Sequence, residues 1–154
     1  DDTDKSPGYK FAEAEVKGIP LRIEIGQRDL KENEIALVRR DNRERIFVNL
    51  NDDIVASVNS LLDQIQKSLY DKALARQKEL TFEARSYQEV QQIMEKQPGF
   101  VKAMWCGKAS CEEKMKEIRG TKSRCILENE PKIADKCVVC GEEAKHLVVW
   151  GIQY

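Results

Sequence analysis

Residues 17–26 alternate apolar and polar side chains, a period of two that is typical of a half-buried β-strand. The apolar positions on one side are Ile19, Leu21, Ile23 and Ile25. Arg22 and Glu24 fall on the other side. Because the alternation places Arg22 on the polar face of the strand, its side chain is predicted to point toward solvent or a ligand.

The segments around this strand are more polar. Residues 35–40 and 45–50 predict two further strands, and the polar stretch 40–44 between them predicts a hairpin. Residues 1–18 are rich in polar and turn-forming side chains, and residues 27–33 form a second polar stretch. Both polar stretches are predicted as turns.

A long amphipathic helix is predicted next, because apolar residues recur at spacings of three and four. These residues are Ile54, Val58, Leu61, Leu62, Ile65, Leu69 and Ala73. The helix should have roughly seven turns, and Asn51 or Asp52 is its expected N-cap. The charged stretch 78–85 predicts a boundary, with residues 1–80 in a first domain and 81–154 in a second.

The second half of the sequence predicts a small α/β domain. Ser86 is followed by Glu89 in a capping-box pattern that starts a helix, and Gln97-Pro98-Gly99 is expected to end it. Ser110 predicts the start of another helix, with Gly120 at its C′ position. The predicted strands are 100–105, 123–127 and 146–154. The whole chain is therefore predicted to be α/β (α+β).

The composition is that of an ordinary globular protein. The 154 residues are 41% hydrophobic and 34% charged, which excludes a disordered or collagen-like chain. The 26 basic and 27 acidic residues leave a net charge of −1, so no overall positive charge marks a nucleic-acid-binding protein. No stretch is apolar enough to span a membrane, and the start of the chain does not have the pattern of a signal peptide. Since the chain starts at Asp1 without Met, a fragment or a processed chain is expected.

The five cysteines all lie in the last third of the chain. Four form two close pairs, Cys106 with Cys111 and Cys137 with Cys140, separated by 25 residues. Two such pairs are typical of a tetrahedral four-thiolate zinc site, and with four protein ligands the zinc is structural. The alternatives are a Cys137–Cys140 redox pair or four reduced thiols without a metal. Cys125 lies in an apolar run and is expected to be a buried thiol.

Two residues near the last cysteine pair complete this prediction. His146, the only histidine, is expected to be an ordinary strand or surface residue, because four thiolates already fill the coordination shell. Gly141 directly follows the last cysteine of the pair, where a turn with positive φ favours glycine.

Several motifs in the two halves of the chain together are specific for one protein family. In the first half they are Pro7-Gly8-Tyr9-Lys10-Phe11, the run 15–29 and Val38-Arg39-Arg40-Asp41. In the second half they are Trp105-Cys106-Gly107, Cys111-Glu112-Glu113-Lys114, Arg124-Cys125-Ile126, Cys137-Val138-Val139-Cys140-Gly141 and the terminal Tyr154. Over essentially the whole chain they resemble the C-terminal part of prolyl-tRNA synthetases of the archaeal and eukaryotic type. Departures from the usual pattern are Gln27 in place of proline and Asn42-Arg43 in place of Thr-Gly.

This resemblance implies that Glu15, Arg22 and Asp29 recognise the two adjacent guanines of a proline anticodon. A basic residue of the hairpin, Arg43 or Arg45, is expected to add a contact. Carboxylates suit the N1–H and N2–H donors of guanine, and arginine suits its O6 and N7 acceptors.

Two further roles are expected of particular residues. The resemblance implies that Tyr154 and its carboxylate contact the catalytic domain. Arg39, Arg40, Arg43 and Arg45 form a local basic cluster that either holds phosphates or is an ordinary solvated turn.

As a whole, the resemblance implies a cytoplasmic proline–tRNA ligase that uses ATP and Mg²⁺ in a catalytic core, with tRNA(Pro) as partner. The chain is expected to lack that core and the first part of the anticodon domain, and so to be inactive alone. The parent enzyme is expected to be a homodimer. The competing functions are a stand-alone zinc-ribbon adaptor for protein partners and a thiol redox module.

Overall fold

The computed structural model describes residues 3–96 and 99–152. It is 40% helical and 27% strand, a mixed α/β structure as predicted. Its contacts divide the chain into two compact units, Asp1–Leu74 and Ala75–Tyr154. The sequence-based boundary after residue 80 stays a prediction. Among the described residues, no helix is both long and apolar enough to cross a membrane.

The first unit contains a three-stranded antiparallel sheet and the helices around it. Its elements are α1 (Pro7–Val16), β1 (Leu21–Glu24), α2 (Gln27–Lys31), β2 (Glu34–Arg39), β3 (Arg45–Asn49) and the start of α3 (Ile54–Glu79). The strand order is β1-β2-β3, so β2 and β3 form the predicted hairpin. Helix α3 has 26 residues, which matches the predicted seven turns.

The two faces of this sheet differ in character. Ile35, Leu37 and Val48 lie on the core face and pack against Leu61 of helix α3. The opposite face, here called the polar face, carries Arg22, Glu24, Arg45 and Phe47, because strand pairing aligns Arg22 with Val38 and Arg45, and Glu24 with Ala36 and Phe47.

The predicted burial of the isoleucines around β1 is wrong in this unit. Ile23 is 49% exposed, and Ile19 and Ile25 are exposed as well. Strand β1 lies at the edge of the sheet and is only four residues long, so Ile19 and Ile25 fall outside it. Within β1, Leu21 packs against the core cluster formed with helix α3, whereas Ile23 is not part of that cluster.

Two segments predicted as turns are helices. Ser6 accepts a hydrogen bond from the backbone N–H of Tyr9 at 3.4 Å and Pro7 occupies the first helical turn, so this dipeptide starts α1. In α2, the Asp29 carboxylate accepts a hydrogen bond from the Gly26 N–H at 2.8 Å.

Helix α3 is capped by Asp53, whose Oδ1 accepts a hydrogen bond from Ala56 N at 2.9 Å, rather than by the predicted Asn51 or Asp52.

The β2–β3 hairpin offers a test of backbone strain. Arg43 has a φ of 63°, in the left-handed region that costs a residue with a Cβ about 1–2 kcal/mol. We expect Arg43→Gly to raise the free energy of unfolding of the first unit by about 0.5–1 kcal/mol, after the entropic cost of glycine. Urea unfolding followed by far-ultraviolet circular dichroism measures it.

The neighbouring residue supplies the control for this substitution. Asn42 Oδ1 accepts a hydrogen bond from Glu44 N at 3.0 Å, so Asn42→Gly should lower stability. If both glycine variants lower the urea concentration at the midpoint of unfolding, the proposal that Arg43 is strained is refuted.

The second unit is built on a four-stranded mixed sheet. Its elements are β4 (Thr81–Ala84), α4 (Tyr87–Lys96), β5 (Phe100–Trp105), α5 (Ala109–Lys116), β6 (Thr121–Ile126) and β7 (His146–Ile152). The order is β4-β5-β7-β6, with β4 parallel to β5 and the other pairs antiparallel. Val90, Met94, Met115 and Trp150 are fully buried in its core.

Several sequence predictions for this unit are confirmed. Ser86 Oγ accepts from Glu89 N at 3.2 Å, while Glu89 Oε2 accepts from Arg85 N at 2.7 Å. Gly120 and Gly141 have φ values of 71° and 73°, as their predicted positions require. Strand β4 was not predicted.

Other predictions for this unit are wrong or fall outside the described residues. Ser110 lies inside α5, whose N-cap is Lys108. Cys125 is exposed rather than buried, because β6 is an edge strand with a register shift between Ser123 and Cys125. The predicted stop at Gln97-Pro98 and the predicted contact of Tyr154 lie outside the described residues.

Candidate metal centre and polar pocket

The four paired cysteines converge in the second unit. The Sγ atoms of Cys106, Cys111, Cys137 and Cys140 all lie within 4.8 Å of one another. Cys106 Sγ is 3.6 Å from Cys111 Sγ and 3.7 Å from Cys140 Sγ. A tetrahedron with metal–sulfur bonds of about 2.3 Å places its sulfurs about 3.8 Å apart. The four thiols therefore fit a tetrahedral metal ion.

Secondary structure sets this spacing. Cys106 directly follows β5, and Cys111 lies in the first turn of α5. Cys137 and Cys140 lie in one tight turn, in which Gly141 N donates to Cys137 O at 3.0 Å. Trp105 packs against the buried cysteines, so the cluster continues directly into the apolar surroundings of the sheet.

The surroundings of the cluster shift the pKa values of two of its thiols in opposite directions. Burial raises the pKa of Cys111 to about 12. Burial would also raise the pKa of Cys137, but backbone N–H groups, those of Cys140 and Val139 foremost, bring it below its ordinary value. Since only thiolates bind metal, a bound cation has to displace the proton of Cys111, which makes metal affinity rise with pH.

Cys125 and His146 stand apart from the cluster. The thiol of Cys125 is exposed on β6. His146 is half-buried at the start of β7, and its ring lies 5.9 Å from that of Trp105. In the part of the chain that the structure describes, the four paired cysteines form the metal-ligating group, without either residue.

A pocket of about 690 Å³ lies in the first unit. Arg22, Asp29 and Arg45 line it, and Glu24 lies between the two arginines. Arg22 Nε donates to Glu24 Oε1 at 2.8 Å, and Arg45 Nη2 donates to Glu24 Oε2 at 2.6 Å. One carboxylate, 11% exposed, thus holds two guanidinium groups at one wall of the pocket.

Helix α1 supplies further groups to this pocket. Phe11 lies beneath Arg22, with the guanidinium carbon 4.3 Å from the ring centroid. Glu15 Oε1 is 3.7 Å from Arg22 Nη1. Of the predicted residues, Arg22, Asp29 and Arg45 line the pocket, whereas Glu15 lies beside Arg22 but outside the pocket lining.

The arginines of the local basic cluster, Arg39, Arg40, Arg43 and Arg45, do not share one exposed surface. Arg39 is buried and bidentate to Asp41, so the predicted phosphate-binding role does not extend to it. Arg40 Nε donates to the Glu15 carbonyl at 3.1 Å. Arg43 is exposed at the hairpin turn and lies outside the pocket lining.

Two pocket residues were missed by sequence reasoning. Glu24 was assigned only to the polar face, although its alternation with Arg22 was the available signal. Phe11 was noted only within a motif. Its contact with Arg22 needs the fold of α1 onto the sheet, which residues 1–18 were not predicted to form.

Comparisons with known families cover both units. Residues 87–154 match the family described as "Prolyl-tRNA synthetase, C-terminal". Residues 1–68 match the family described as "Anticodon binding domain".

Curated relatives match the complete chain. Proteins named "Proline--tRNA ligase" from Clostridium novyi (strain NT) and Clostridium botulinum (strain Loch Maree / Type A3) are each 47% identical to it over all 154 residues. One from Ruminiclostridium cellulolyticum (strain H10) is 49% identical over the same length. In each case the chain spans 32% of the relative.

Proposed function

The chain belongs to the prolyl-tRNA synthetase family, whose C-terminal region it matches, and from this we propose that its first unit recognises the anticodon of tRNA(Pro). The whole enzyme is then a proline–tRNA ligase. The adenylation of proline with ATP and Mg²⁺ is assigned to the part of such an enzyme that these 154 residues do not match. The stand-alone zinc-ribbon adaptor is not favoured, because both halves match synthetase families.

The observation that supports this proposal is the mixture of charges in the pocket. Guanine offers N1–H and N2–H as donors and O6 and N7 as acceptors, so two adjacent guanines need both carboxylates and guanidinium groups. Asp29 supplies a carboxylate and Arg22 and Arg45 supply donors in the pocket lining. Glu15 adds a second carboxylate beside Arg22, outside that lining. A purely basic surface would bind phosphates without selecting guanine.

The four-cysteine centre is assigned to structural zinc. Zinc accepts four thiolates in a tetrahedron, and such a closed shell has no position for a catalytic water. The sulfur spacing supports this assignment, since 3.6 and 3.7 Å are close to the zinc–thiolate value and far longer than a disulfide of about 2 Å. The zinc domain is proposed to brace the enzyme rather than to take part in its reaction.

Anticodon recognition can be tested with Arg22→Ala. We expect the variant to bind an RNA hairpin with two adjacent guanines in its loop about tenfold more weakly, because one good base contact is worth about 1–3 kcal/mol. Preference for guanine over adenine in the loop should fall as well. Fluorescence anisotropy of the labelled hairpin, measured with the whole enzyme, gives both the affinity and the preference for guanine.

The control removes an equal charge elsewhere in the same unit. Lys67 is highly exposed on α3 and pairs with Asp71 at 2.9 Å. Lys67→Ala should weaken guanine and adenine hairpins equally and only slightly. If Arg22→Ala also weakens both hairpins equally, Arg22 contacts phosphate and the guanine assignment is wrong.

A further inference from the structure

Phe47 is an exposed aromatic side chain beside the pocket. It is 53% exposed, whereas its neighbours Ile46 and Val48 pack against the core on the other face of β3. Ile46 and Val48 therefore belong to the apolar core of the first unit, whereas Phe47 does not.

The strand register places Phe47 on the same face as the pocket. Glu24 pairs with Ala36, and Ala36 pairs with Phe47, so the three side chains form one row across the polar face. Two strand spacings separate Glu24 from Phe47, or about 10 Å. Phe47 thus lies close to the proposed guanine contacts without lining the pocket itself.

Arg45 joins the aromatic ring to the pocket. Its guanidinium carbon is 5.6 Å from the Phe47 centroid, while its Nη2 donates to Glu24. Arg43, exposed at the preceding turn, adds positive charge on the same hairpin. An exposed ring with an arginine beside it suits a planar base on an anionic backbone better than an apolar protein segment.

We propose that Phe47 and Arg45 form a stacking platform for one unpaired nucleobase that adjoins the two guanines in the RNA loop. The ring supplies the flat apolar surface, and Arg45 supplies the cation beside it. Stacking tolerates any base, so the platform adds affinity without adding sequence preference. This inference rests on the proposed function, because the neighbouring guanines define which nucleotide is reached.

The test combines Phe47→Leu with hairpins that lack one base. For the wild-type whole enzyme, removing the base at one loop position next to the guanines should lower the affinity for the hairpin about tenfold. Phe47→Leu should bind the intact hairpin about tenfold more weakly and lose nothing further when that base is removed. Phe47→Trp, which keeps a flat ring, should retain wild-type affinity.

The outcomes separate this inference from the proposed function. If Phe47→Leu binds like the wild type, or if the two losses simply add, the platform is refuted. If the wild type binds guanine and adenine loops equally, guanine recognition fails, and the effect of Phe47→Leu on either loop still decides the platform. A wild type that binds no hairpin refutes both.

Discussion

Removal of the proposed zinc ion from the four-cysteine centre is expected to unfold the second unit and leave the first unit folded. Zinc binding to four-ligand sites is worth roughly 10–16 kcal/mol, and a whole domain is stable by only about 5–15 kcal/mol. The second unit would therefore lose most of its stability with its metal. The first unit has its own core of sheet and helix residues, such as Leu37 and Leu61.

The two tryptophans make this prediction easy to measure. Trp105 and Trp150 both lie in the second unit, so tryptophan fluorescence reports on that unit alone. Trp105 packs against the cysteines and Trp150 is fully buried. A strong chelator should shift the emission to that of solvent-exposed tryptophan, while far-ultraviolet circular dichroism retains a cooperative transition from the first unit.

Two cysteine variants provide the matched comparison. Cys111→Ser removes a buried sulfur of the cluster and should abolish stoichiometric zinc binding. Cys125→Ser changes an exposed thiol outside the cluster and should keep about one zinc ion per chain. The zinc assignment is wrong if the purified wild type holds no metal and the chelator leaves its fluorescence unchanged.

Strand β2 was predictable from a short apolar run, and its residues are buried on both faces of the sheet. Helix α3 was predictable from its apolar period, although only Leu61 and Ile65 of that stripe are buried, and Leu62 and Leu69 are exposed. Helix α1 has no fully buried residue, so hydrophobic periodicity could not reveal it, and Ser6-Pro7 suits a turn as well as a helix start. Strand β4 has four residues inside the charged stretch 78–85, which is too short for a period of two to be recognised.

The candidate sites show the same division. The four cysteines were predictable because each ligand pair is local in sequence, and one metal requires that the pairs meet. Glu24 was not predictable as the shared partner of Arg22 and Arg45, because that role depends on strand register. The apolar run around Cys125 predicts burial, but strand register places Cys125 opposite Val149, on the same face as the charged Lys102.

Breaking the buried ion pair of the β2–β3 hairpin is expected to destabilise the first unit strongly. Arg39 donates to both carboxylate oxygens of Asp41 at 3.0 and 2.9 Å, and the two side chains are only 8% and 2% exposed. Gln64 and Lys72 of helix α3 also contact this pair, at 3.5 and 3.3 Å. Asp41→Asn would leave the buried guanidinium of Arg39 with Glu44 Oε2 at 3.3 Å but without its bidentate partner, at a cost of about 3 kcal/mol.

The exposed pair on helix α3 is the control. Lys67 and Asp71 lie 2.9 Å apart, but both side chains are more than half exposed. Asp71→Asn should therefore change the free energy of unfolding by less than about 0.5 kcal/mol. Urea unfolding at pH 7, followed by circular dichroism, compares the two variants, and tryptophan fluorescence should show that the second unit is unaffected.

The pH dependence gives an independent check on the same pair. The bonds from Arg39 lower the pKa of Asp41 from 3.8 to about 2. Because the folded-state pKa is the lower one, the stabilisation is complete above pH 3.8 and is lost as the pH falls toward 2. The difference between the wild type and Asp41→Asn should therefore shrink across that range, while Asp71→Asn shows no comparable change. A difference that stays constant from pH 7 to pH 2.5 would mean that Asp41 acts through packing rather than through its charge.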